Sequence, residues 1–129
     1  FMINGSQSSY GYDVKAMQDG KIFMSGVYKP SGTGTYFKIA VAKFLNDGAT
    51  LDNSFGVNGV AEASLGNQST IGGIVNKIKF DAAGKIYVSG FGRPAAGGTK
   101  SFLCRFLPNG TLDNTFDGDG TVFVGRPSG

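Results

Sequence analysis

The sequence predicts an all-β chain built from two copies of one four-stranded unit, and three observations point to it. The first is a repeat. Asp19-Gly20-Lys21-Ile22-Phe23-Met24-Ser25-Gly26 returns as Ala83-Gly84-Lys85-Ile86-Tyr87-Val88-Ser89-Gly90, and Thr50-Leu51-Asp52-Asn53-Ser54-Phe55 returns as Thr111-Leu112-Asp113-Asn114-Thr115-Phe116. The period is about sixty residues, the mark of a repeat architecture whose units do not bury their apolar faces alone. The second is the form of the apolar runs. They are short, rich in Val, Ile, Phe and Tyr, and bounded by Gly, Asn, Asp or Pro, as strands are. The third is that both strand faces are apolar: Ile22, Met24 and Gly26 alternate with Phe23, Ser25 and Val27, and Phe37, Ile39 and Val41 alternate with Ala40, Ala42 and Phe44. A sheet solvated on one side shows polar residues at alternate positions, so each unit is expected to sit between neighbours.

Residues 1–8 are expected to form an N-terminal strand tail, residues 9–68 the first unit and residues 69–129 the second. In the first unit the strands are expected near Tyr12–Met17, Lys21–Tyr28, Tyr36–Leu45 and Gly59–Ser64. In the second they fall near Val75–Phe80, Lys85–Phe91, Ser101–Leu107 and Thr121–Val124. The first link in each unit is a tight turn, Gln18-Asp19-Gly20 and Ala82-Ala83-Gly84, with glycine where a short hairpin needs a positive φ. The second link is longer and rich in Gly and Pro, and the third carries the Leu-Asp-Asn-Ser/Thr-Phe block.

Four antiparallel strands per unit, apolar on both faces and repeated in tandem, is the pattern of a β-propeller blade. A β-sandwich in which the two copies face each other is the alternative, and it accounts less well for two apolar faces per copy. Propellers use about four to eight blades, so two do not close a ring. Closure is expected through self-association of several chains or through neighbouring repeats of a longer array. The chain opens on Phe1-Met2 rather than an initiator methionine, which reads as a processed protein or part of something longer.

The Leu-Asp-Asn-Ser/Thr-Phe block is the most specific local feature. Leu51 and Phe55, and likewise Leu112 and Phe116, are four residues apart, a spacing that places two side chains on one side of a helical turn. Asp52 and Asp113 stand early in that turn, where a carboxylate accepts N–H bonds from two or three residues on. The block is therefore expected to be a structural corner between the third and fourth strands rather than a catalytic pair. Asp117-Gly118-Asp119 offers hard oxygens of the kind Ca²⁺ takes, but the rest of a calcium loop is missing, and an acidic turn is expected there instead.

Taken together, Asp-Gly-Lys-Ile, then Ala-Lys-Phe or Cys-Arg-Phe, then Leu-Asp-Asn-Ser/Thr-Phe-Gly/Asp-x-x-Gly resembles the delta-60 repeat, a family of tandem repeats in bacterial secreted and surface proteins associated with β-propeller folds. The resemblance covers both copies. It implies the propeller architecture and a secreted or cell-surface setting, and it implies no activity. Gly56 fits the family's Phe-Gly step, and Asp117 replaces it in the second copy.

Composition narrows the function. The chain has 129 residues, 40% of them hydrophobic and 16% charged, a balance that supports a core and argues against disorder. The net charge of +3 comes from basic residues scattered singly, whereas nucleic-acid binders cluster them; a solvated positive surface is expected, and no nucleic-acid partner. No stretch approaches the length of a membrane span. There is no histidine, which removes the usual general base, the Ser-His and Cys-His nucleophile pairs and the commonest transition-metal ligand. Glu62 is the single glutamate, and Cys104 matches Ala42 in the first copy, as a small core residue would.

No cofactor, metal or catalytic residue is therefore expected. The expected function is a non-catalytic structural or recognition module that presents loops on a rigid scaffold, where recognition residues tend to sit. Tyr28, Lys29 and Tyr36 in the first copy, and Phe91, Arg93 and Lys100 in the second, flank the long second links and are the candidates for contact with a protein or ligand. A plainer role for Tyr28 and Phe91 is to prolong their strands. Two rivals stand beside this reading: a lectin-like module, which predicts equivalent glycan pockets at both copies, and an aspartate-dependent glycosidase or lyase, which predicts two carboxylates facing each other across a cleft.

Overall fold

The computed structural model describes residues 8–30, 37–64, 74–92 and 100–124. The described residues form two four-stranded antiparallel sheets and no helix. The first sheet runs β1 (Ser8–Ala16), β2 (Ile22–Lys29), β3 (Lys38–Phe44) and β4 (Val60–Ser64), each strand beside the next. The second repeats this order with β5 (Ile74–Phe80), β6 (Ile86–Gly92), β7 (Lys100–Phe106) and β8 (Thr121–Val124). Every expected strand is present, most with ends moved by a residue or two. The largest change is at β1, which begins at Ser8 because Ser8 pairs with Lys29 at the far end of β2. The tail expected over residues 1–8 lies outside the described residues except for Ser8.

The turns follow from their glycines. Gly20 N–H donates to Met17 O at 3.0 Å and Gly20 has φ +86°; Gly84 does the same to Asp81 O at 3.0 Å with φ +83°. A glycine pays no steric cost for that left-handed backbone. The first strand of each sheet carries an irregular register, between Gly11 and Asp13 in β1 and between Val75 and Lys77 in β5. This bulge brings β1 so close to β2 that a Cβ on Gly26 would lie 2.0 Å from Tyr10 O, so only glycine fits there.

Strand register sorts each sheet into two faces. One, here the front, carries Phe23, Ser25, Val27, Ile39, Val41, Ala61 and Ala63 in the first sheet. The back carries Ile22, Met24, Tyr28, Ala40, Ala42, Phe44 and Val60. The main core joins the front of the first sheet to the back of the second: Phe23, Val27, Ile39 and Val41 pack with Val75, Ile78, Ile86, Val88, Phe102, Cys104 and Phe106. Each fully buried side chain of this size contributes roughly 1.5–3 kcal/mol. The back of the first sheet holds a separate, smaller cluster.

Unlike faces meet at this contact. Ile86 and Val88 match Ile22 and Met24 of the first copy, yet the former pair lies in the shared core and the latter on the opposite side of the first sheet. Two copies facing each other as a sandwich would bring like faces together. Front-to-back packing is instead the stacking of successive blades, which repeats without reversing.

Candidate functional site

The corners are built alike in both blades. Asp52 Oδ1 accepts Ser54 N–H at 3.1 Å and Ser54 Oγ–H at 2.5 Å, while Oδ2 faces Lys21 Nζ at 3.3 Å and Lys43 Nζ at 3.6 Å. Asp113 Oδ1 accepts Thr115 N–H at 3.1 Å and Thr115 Oγ1–H at 2.6 Å, while Oδ2 faces Arg105 Nε at 2.8 Å and Lys85 Nζ at 3.4 Å. Both aspartates are buried. The Ser54 hydroxyl, helped by its N–H and by Lys21, holds the Asp52 carboxyl down at about 2 against the opposing effect of burial. The Thr115 hydroxyl, its N–H, Arg105 and Lys85 do the same for Asp113, also at about 2. Both carboxylates are thus charged and fully engaged, as a structural corner requires.

Two features of the corner differ from expectation. Lys21, Lys43 and Lys85 are not scattered solvated charges but the counterions of these aspartates, with Arg105 as the fourth. Their recurrence at matching places in both copies was the available signal. Leu51 and Phe55 also fail to share a side. Leu51 bridges Phe44 and packs on the back cluster, whereas Phe55 enters the core between the sheets. Leu112 joins that core too, while Phe116 stacks on the other side, edge-on to Tyr87 and 4.8 Å from the Arg105 guanidinium. The turn explains this: it closes from Asp52 O to Phe55 N–H at 3.0 Å, so the leucine precedes it as an extended bridge residue rather than lying within it.

Asp117, which replaces Gly56, keeps the corner's backbone: φ is +52° at Asp117 and +55° at Gly56. Asp119 Oδ1 accepts Thr121 N–H at 3.0 Å, closing an acidic turn. Among the described residues no group of three or more Asp, Glu or Cys gathers to hold a metal ion.

The candidate contact residues are dispersed. Tyr36 and Arg93 lie outside the described residues. Tyr28 is buried on the back face, and its hydroxyl donates to Glu62 Oε2, while Lys38 Nζ donates to Glu62 Oε1 at 2.8 Å. Burial and the Glu62 carboxylate push the Tyr28 hydroxyl well above its usual range. Burial works to raise Glu62 as well, but Lys38 and Tyr28 outweigh it and hold the carboxyl low. By register the second blade has Gly92 and Phe123 where the first has Tyr28 and Glu62, so this polar cluster is not repeated. Lys29 ends β2 and Lys100 begins β7. Phe91 is 37% exposed on the front face of the second blade.

The open faces are the largest feature that the strand pattern alone does not reveal. Three side chains left exposed have repeat partners sealed inside the chain. Val14 on the back of the first blade is 59% exposed, and its counterpart Ile78 is 4% exposed. Phe91 and Val124 on the front of the second blade are 37% and 58% exposed, and their counterparts Val27 and Ala63 are 4% and 3% exposed. A groove of about 310 Å³ on the back of the first blade is lined by Gly11, Met24, Gly26, Ala40 and Ala42 among others.

Two blades of propeller type, stacked front to back with exposed apolar side chains on each outer face, are what this fold and these surfaces define. Residues 84–116, which run through β6 and β7 to the corner at Phe116, match the family model of a domain of unknown function, DUF5122, described as a beta-propeller. No curated protein and no solved structure matches the chain.

Proposed function

We propose that this chain is a non-catalytic scaffold and recognition module: a segment of β-propeller whose stacked blades hold their connecting loops rigid for contact with a protein or ligand. A rigid scaffold lowers the ordering cost of binding. The setting we propose, a secreted or surface-attached bacterial protein, rests on the resemblance of both copies to the delta-60 repeat, while the match of residues 84–116 to a beta-propeller family supports the scaffold alone.

The observation that carries this conclusion is the engagement of four carboxylates at the corners and between the strands. Asp52 and Asp113 are tied to their own hydroxyls and cations, Asp13 to backbone N–H groups of two strands, and Glu62 to Tyr28 and Lys38. A glycosidase needs two such groups facing each other across room for a sugar, and these four are spent on holding the blades.

The test is a panel of aryl glycosides and uronic-acid polysaccharides, assayed with the wild-type chain beside Asp52→Asn and Asp113→Asn. No turnover above blank is expected from any of the three. Turnover that either substitution abolishes would replace this function with an enzymatic one. A glycan array run on the same protein separates the lectin-like alternative, which requires signal that Phe91→Ala or Lys100→Ala removes.

A further inference from the structure

We propose that a second copy of this chain docks head to tail on the first, the front of the second blade of one copy seating on the back of the first blade of the other. The proposal rests on the scaffold reading and names the partner of its open faces.

The chain contains its own template for this contact. Its internal core is a front face packed on a back face, and the two faces left over are again one front and one back. The exposed members of those faces, Val14, Phe91 and Val124, occupy the repeat positions that are sealed in the internal contact as Ile78, Val27 and Ala63. Apolar side chains at such positions lose water only when another blade covers them.

The side-chain volumes of the two leftover faces are complementary in the reverse sense to the internal contact. Inside the chain the front supplies the small Val27 and the back supplies the large Phe102. At the open ends the front supplies the large Phe91, and the back supplies Ala40 where the second blade has Phe102. Ala40, Ala42 and Gly26 leave the groove beside Met24, so a ring arriving from a second copy meets a hollow rather than a surface already filled.

Charge disfavours joining two open fronts. Asp13 and Lys77 occupy equivalent positions, each just after the bulge in the first strand of its blade and opposite Ser25 and Ser89. Inside the chain Asp13 Oδ2 crosses to the next blade and accepts Ile78 N–H at 2.9 Å, beside Lys77. By register Lys77 lies on the open front of the second blade, whereas Asp13 lies on the front of the first blade and is taken up in the internal contact. A dimer that joins two open fronts would oppose Lys77 to Lys77, and like charges at close range are unfavourable. Heterologous contacts of this kind close into a ring when the rotation permits and extend otherwise.

Native mass spectrometry and light scattering test the proposal with Phe91→Glu, which charges the front, and Val14→Glu, which charges the back. Val14 is already exposed, so its variant keeps the fold, and circular dichroism with a thermal melt verifies both. Wild type is expected to form an oligomer, each variant alone to weaken association by about tenfold or more, and an equimolar mixture of the two to recover a one-to-one pair through the single intact contact. Wild type that stays monomeric at millimolar concentration, an oligomer that survives both substitutions, or a mixture that recovers no pair would each overturn the proposal. Any of these results leaves the non-catalytic function standing, because that fails only on turnover.

Discussion

The backbone N–H of Gly56 donates to the carbonyl of Asn109 at 2.7 Å, and through this bond the corner of the first blade rests on a turn of the second. Gly110 makes the approach possible. It is buried at φ +90°, and a Cβ there would lie 2.5 Å from Gly56 N and 2.8 Å from Gly56 Cα. Gly118 has a similar φ of +82° but nothing within 4 Å of an added Cβ.

These two glycines separate backbone strain from blade packing. Gly118→Ala is expected to cost only the left-handed conformation, about 1–2 kcal/mol. Gly110→Ala adds a clash with backbone that has no rotamer to yield, and is expected to cost at least about 1 kcal/mol more than Gly118→Ala. Chemical denaturation of both variants measures the difference. Equal losses would mean that the corner contact contributes nothing to holding the blades together.

Acid should loosen the corners. Asp52 and Asp113 sit at about 2 in the folded chain against 3.8 for a free side chain. A folded pKa below the unfolded one gives stability that is complete above the unfolded value and is lost as pH falls toward the folded value. Asp13, Asp47 and Glu62 are shifted down as well and act in the same sense. The melting temperature is therefore expected to hold from neutral to about pH 5 and then to fall toward pH 2. Asp52→Asn with Asp113→Asn should start lower at neutral pH and show a shallower acid limb. A wild-type melting temperature unchanged at pH 2 would contradict this.

Cys104 is wholly buried, and burial, with a smaller contribution from Asp119, pushes its thiol up to about 12. The thiolate is the reactive form, so a thiol reagent at neutral pH is expected to label it only after unfolding. The labelling rate across a denaturant series should follow the unfolding transition measured by circular dichroism. Fast labelling of the native chain would place Cys104 outside the core.

Ser25 lies in the core between the blades, and its Oγ has no hydrogen-bond partner. A buried hydroxyl without a partner costs about 1–3 kcal/mol. Ser25→Ala is expected to leave the melting temperature unchanged or raise it by a few degrees. A clear fall would reveal a partner for that hydroxyl.

Much of this architecture is legible in the amino-acid sequence. Period-two patterning between glycine-rich turns located all eight strands, because alternation and turn chemistry are local properties. The corner aspartates were legible for the same reason: Asp52 and Asp113 bond to residues two positions away. Their counterions were not, since Lys21 reaches Asp52 across thirty-one positions, and only the matching of copies hinted at it. Tyr28 looked like a candidate for recognition, yet it is buried against Glu62, a pairing made when β4 is laid beside β3.

The sequence by itself determined that there are two like units, each apolar on both sides, because side-chain alternation along a strand is set residue by residue. Which apolar side meets which was decided only by the tertiary structure. Alternation records that a face is greasy but not what covers it, and the choice of front on back over front on front depends on bulges, corner bonds and side-chain volumes that meet only once the blades are stacked.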